Sequence, residues 1–130
     1  MVRKTIKYLL PLFVIALGVQ SCYYDNEEEL YPNFGTCDTS NVTYSGVVTP
    51  IIQQNCYSCH SNAQSAILGS GISLEGHANL SGFIGANQTV FLNAIQHLAG
   101  ASAMPKNSAK MSDCNINKIK AWINAGMPNN

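Results

Sequence analysis

Charge is what this sequence has least of. Seven basic and seven acidic side chains make up 11% of its 130 residues and cancel to a formal net charge of zero. Composition therefore offers no basic face for nucleic acid. Large rings are few as well, aromatics being 8% of the chain with a single tryptophan. No apolar run reaches the roughly 20 residues that a bilayer crossing needs, and the longest, residues 9–19, falls well short. No Ser/His/Asp set, carboxylate pair or phosphate loop stands out, so the chain does not read as an enzyme. There is no internal repeat, and 130 residues suffice for one domain and no more.

Against this background stands Asn55-Cys56-Tyr57-Ser58-Cys59-His60, which contains Cys-x-x-Cys-His, the attachment signature of a c-type haem. Two thiols three residues apart suit addition to the two vinyl groups of one porphyrin. The adjacent imidazole is then placed to bind the iron on the same side. Cys56 and Cys59 are thus the candidate attachment pair for one covalent haem c, with His60 the candidate proximal ligand. Other chemistries need other company. Zinc wants a second Cys/His pair at ligand spacing, and none follows. A thioredoxin-like dithiol wants a preceding strand and a βαβ pattern, whereas these flanks read as helix and polar loop. Two buried cysteines beside a chance histidine is the bland alternative. A porphyrin would also supply the buried surface that the scarce aromatics do not.

The start of the chain reads as an address. Arg3, Lys4 and Lys7 precede the apolar residues 9–19, and small and polar residues then lead to Cys22. Val19-Gln20-Ser21-Cys22 resembles a lipobox, which makes residues 1–21 a lipoprotein signal peptide and Cys22 the acylated first residue of the mature chain. An ordinary signal peptide is the alternative, and both mean export. Residues 22–35 carry Asp25, Glu27, Glu28 and Glu29 without a base, followed by Pro32 and Gly35, and read as an acidic tether. Such a run behind a lipidated cysteine also resembles a surface-export signal of some Gram-negative lipoproteins. The expected location is the cell envelope, on the periplasmic side or the cell surface.

Residues 36–130 are the expected folded domain, and it reads as all-α. Ser45 or Thr49 can cap a first helix that tolerates Pro50, with Val47, Val48, Ile51 and Ile52 as its apolar stripe. That helix is expected to bring Cys56 to its end or just past it. Residues 61–70 are small and polar, and residues 71–74 form a short apolar strap. A weak helix over 78–84 and a stronger one over 88–97 follow, the latter with Val90, Phe91, Ala94, Ile95 and Leu98 on one side. Residues 99–112 look irregular. A last helix opens on Ser112 as N-cap and ends before Gly126. Ile116, Ile119 and Ile123 form its core stripe with Trp122 at the edge, while Cys114, Ala121 and Ala125 fall on the opposite side.

A haem that carries electrons usually has its second axial position filled. Met104 is the leading distal candidate: it precedes Pro105 in the irregular stretch, and 44 residues separate it from His60, enough to wrap a porphyrin. Thioether is the soft ligand that favours ferrous iron and raises the potential. His97, at a helix end, is the runner-up and would give bis-histidine ligation at lower potential. Met111 and Met127 read as core filler or surface, and His77 as an exposed turn residue.

The Cys56 to His60 motif after a short helix, the Met104-Pro105 loop and the capped final helix with Trp122 resemble a class I cytochrome c, over roughly residues 42–130. The resemblance implies a small all-helical domain wrapped around one haem with one edge exposed, attached outside the cytoplasm, and exchanging electrons with redox proteins. It depart from the family pattern in carrying two further cysteines. Of five cysteines, lipid takes one and haem two, leaving Cys37 and Cys114, which in an oxidising compartment pair most simply as a disulfide worth roughly 2–4 kcal/mol. The function expected is electron transfer by an exported, lipid-anchored monohaem cytochrome. Its alternatives are a haem sensor with an open distal site, an electron-input module for a partner enzyme, and a structural lipoprotein without haem.

Overall fold

The computed structural model describes residues 37–130, and every regular element among them is helical. The expected signal peptide, Cys22 and the expected tether lie outside the described residues.

The first element starts earlier than the capping residues of the sequence suggested. Thr43, not Ser45 or Thr49, is the cap: its hydroxyl accepts from Gly46 N–H at 3.2 Å and opens a π-helical turn, Tyr44–Val48. This turn runs straight into α1, Thr49–His60, which carries Pro50 in its first turn. Val48, Ile51 and Ile52 are buried as their spacing requires.

The two helices expected over 78–84 and 88–97 are one element, α2, His77–Gln96, bent where Asn87 leaves helical geometry (φ −138°, ψ 33°). Gly82 and Gly85 do not stop it because a Cβ at either would meet nothing within 4 Å, so both lie on an open side. Each costs only its propensity, about 1 kcal/mol relative to alanine. Burial of Leu80, Ile84, Phe91 and Ile95 on the other side outweighs that. α2 ends in a Schellman arrangement: His97 is left-handed (φ 56°), its N–H bonds Ala94 O at 3.2 Å, and Leu98 N–H bonds Asn93 O at 2.8 Å. The chain therefore turns before Leu98, which is 51% exposed and not part of the core face the periodicity gave it.

The last helix, α3, spans Asp113–Asn124 with Ser112 as N-cap, its hydroxyl accepting from Asn115 N–H at 3.2 Å. Ile116, Ile119 and Ile123 are buried together with Trp122, which is wholly enclosed rather than at the stripe's edge. What encloses Trp122 comes from far along the chain. The Tyr44 and His77 rings lie 5.7 and 6.0 Å from it, and its indole N–H donates to Pro128 O at 2.9 Å. His77 is thus half-buried in an aromatic cluster, its Nε2 on Met127 O at 2.9 Å, not exposed in a turn. The chain then returns to its start, where Tyr44 N–H reaches Asn130 Oδ1 at 2.8 Å and Ser45 N–H reaches Asn130 O at 2.9 Å. Cys37 and Cys114 are bonded, with Cα atoms 5.3 Å apart. Side chains of all three helices, with Leu74 and Met111, share one core.

Candidate functional site

No proline or glycine lies between Ile51 and Gly69, so nothing stops α1 at Cys56, and the helix continues through His60. Positions i, i+3 and i+4 of a helix share one face. Cys56, Cys59 and His60 therefore stand together on one side of the last two turns, rather than being split across a helix end. All three line a cavity of about 660 Å³, a size usual for cofactor sites.

The His60 ring is held. Its Nδ1 lies 2.9 Å from Ile72 O, and a carbonyl can only accept, so Nδ1 carries the proton. Nε2 is left with its lone pair for a metal or proton. The strap is fixed in return, since Leu74 N–H donates to His60 O at 2.8 Å. Between them the small polar residues make a tight loop, in which Gly69 and Gly71 N–H both reach Ser65 O, at 3.1 and 2.8 Å. Gly69 has no room for a side chain: a Cβ there would lie 2.6 Å from Cys59 O, 2.9 Å from Ser65 Cα and 3.0 Å from His60 Nδ1. Gly69→Ala is expected to push the loop off the end of α1 and to destabilise the domain by about 1–3 kcal/mol. An unchanged thermal unfolding midpoint would contradict this.

Burial pushes the Cys56 thiol up to about 12. An attacking thiol of a redox-active Cys-x-x-Cys pair is instead lowered towards neutrality, so Cys56 is poorly suited to that one role.

Met104 lines the same cavity as His60. Its backbone is held from both sides, N–H to Ala94 O at 3.0 Å and carbonyl to His97 Nε2 at 3.1 Å. The runner-up His97 is an exposed residue outside the cavity wall, with its ring on the Met104 carbonyl. Met111 is a core residue, and Met127 packs against the core at the left-handed turn after α3. Ile72, Leu74 and Ile95 line the cavity, and Leu98 does not. Sequence reasoning missed Phe83 as wall, and it read Val90, Phe91 and Ala94 as a core face when they also line the cavity. The recurrence of 83, 90, 91 and 94 at helical spacing was the available signal, obscured by dividing α2 in two.

Among the described residues no three His, Cys, Asp or Glu side chains gather as a metal site. An iron in a porphyrin asks the protein for one or two ligands only, because the ring gives four nitrogens. No known protein family, curated protein or solved structure matches the chain.

Proposed function

We propose that residues 37–130 form a class I cytochrome c-like domain that holds one haem c, and that the chain is an electron carrier of the cell envelope. The observation that carries this reading is the convergence of four side chains on one cavity: Cys56, Cys59 and His60 from one face of α1, and Met104 from the loop after α2. The donor set suits the group in kind. Cys56 and Cys59 would hold it covalently, His60 Nε2 would be the proximal ligand and the Met104 thioether the distal one. Bound haem would supply a one-electron ferric/ferrous couple. The chain's own contribution is positional. Ile72 O fixes the His60 ring, the Ala94 and His97 contacts hold the Met104 backbone, and Ile72, Leu74, Phe91 and Ile95 line the cavity with apolar surface.

Protein purified from an export-competent host should stain for haem on a denaturing gel and give a low-spin spectrum in both oxidation states. Absence of the stain sends Cys56 and Cys59 back to a structural or metal role. Ready carbon monoxide binding by the reduced wild-type protein would replace the carrier with a sensor whose distal site is open.

Anchoring is proposed through lipid at Cys22. Among the described residues no helix is long and apolar enough to cross a membrane. Cys22→Ala is expected to release the protein from membrane fractions with haem still attached, because the haem motif lies in the separate folded domain. A variant that stays in the pellet after a high-salt wash would mean that residues 1–21 act as a spanning segment. The partners would be redox proteins, with no nucleic acid.

A further inference from the structure

Among the described residues, Lys106 is the only lysine, arginine, aspartate or glutamate lining the cavity, and the other hydrophilic members, apart from His60, include amides and hydroxyls such as Gln54, Asn55, Ser58 and Ser102. The next lysine along, Lys110, is paired with Asp113 at 2.6 Å, whereas Lys106 has no ion-pair partner among the described residues. Lys106 is an exposed residue on a backbone turn that is itself held. It occupies the second position of a turn closed by Ser108 N–H to Pro105 O at 3.4 Å, with Asn107 in the left-handed conformation (φ 58°) that such turns favour at the third position. The segment before it is pinned at Met104 to Ala94 and His97.

We propose that Lys106 pairs with a carboxylate of the bound group and thereby raises its reduction potential. The inference rests on the haem reading, in which that carboxylate is a propionate. When one electron enters, the charge on iron falls by one. An uncompensated carboxylate nearby favours the more positive ferric state, and an ammonium beside the carboxylate removes that preference. Among the described residues the cavity has one lysine and no acidic side chain in its wall, which suits an anionic edge on its occupant.

The test compares Lys106→Met, Lys106→Arg and Lys106→Glu with Lys118→Met, which makes the same change in net charge at a residue that does not line the cavity. Haem staining of the wild type comes first, and a negative result there overturns the haem reading before Lys106 is reached. With haem attached, potentiometric titration should show Lys106→Met moving the one-electron equilibrium about three- to tenfold towards ferric, tenfold corresponding to 59 mV. Lys106→Arg should stay within about twofold of wild type, and Lys106→Glu should move further than Lys106→Met. The amount of covalent haem should be the same in all four variants. A shift in Lys106→Met no larger than in Lys118→Met, or one that arginine does not restore, overturns the proposal.

Discussion

Met104→Ala is expected to lower the reduction potential by on the order of 100 mV, a modest share of the roughly 0.8 V that axial ligation spans. It should also open the iron to carbon monoxide while leaving the haem attached through Cys56 and Cys59. The expectation follows from a division of labour across the cavity, since the proposed attachment pair and proximal ligand, Cys56, Cys59 and His60, all come from α1 and Met104 stands on another segment. Thioether favours the ferrous state, and filling the sixth position keeps iron low-spin in both states, which limits rearrangement as an electron moves. Met111→Ala is the informative contrast. Met111 is 5% exposed and belongs to the core, so its loss should cost about 2–5 kcal/mol of stability and leave the spectrum alone. Should Met104→Ala leave the spectrum unchanged, the distal assignment fails. His97 could take its place only by giving up the Met104 carbonyl and entering a cavity it does not line.

Trp122→Ala should be the most damaging substitution for stability, at about 3–5 kcal/mol. The indole is wholly buried, packs with Tyr44 and His77, and donates its N–H to Pro128 O at 2.9 Å. It joins the opening turn of the domain, the first turn of α2 and the residues after α3. Trp122→Phe separates two contributions, because it keeps much of the packing but leaves the Pro128 carbonyl without its donor. Its cost should be nearer 1–3 kcal/mol, depending on whether water reaches that carbonyl. Denaturant unfolding monitored by circular dichroism measures both. A loss below about 0.5 kcal/mol in Trp122→Ala would place the residue among ordinary surface positions.

The parts of this fold that could be read from sequence are those governed by local chemistry. Ser112 followed by Asp113, three isoleucines at helical spacing and Gly126 just beyond mark α3 at both ends, and the helix lies where they put it. The opening π-helical turn gave no such signal, since its cap, Thr43, is one of several hydroxyl residues in a row and only the fold selects among them. α2 was obscured by its glycines. Their cost is local and visible in the sequence, while the burial of Leu80 and Ile84 that outweighs it is tertiary and invisible there. The break was still half legible, surviving as the bend at Asn87. In the site, motif spacing pointed to Cys56, Cys59 and His60, and the Pro105 neighbour, thioether chemistry and chain distance from His60 pointed to Met104 as a candidate. The carbonyl of Ile72, the crowding at Gly69 and the placement of His97 outside the cavity wall depend on where the chain returns in space.

The Cys37–Cys114 bond has a topological consequence. Among the described residues, all that line the cavity, from Gln54 to Ala109, lie on the covalent ring that this bond closes. A protease that nicks one exposed position in that ring, such as the loop around Ile67 and Leu68, therefore linearises a circle and frees no fragment. His60 and Met104, on either side of the cut, stay joined the other way round, through Cys37 and Cys114. Such a nick would pass unseen on a non-reducing gel and show as two pieces only after reduction. For a domain working outside the protection of the cytoplasm, as proposed here, the ring makes a single backbone cut survivable.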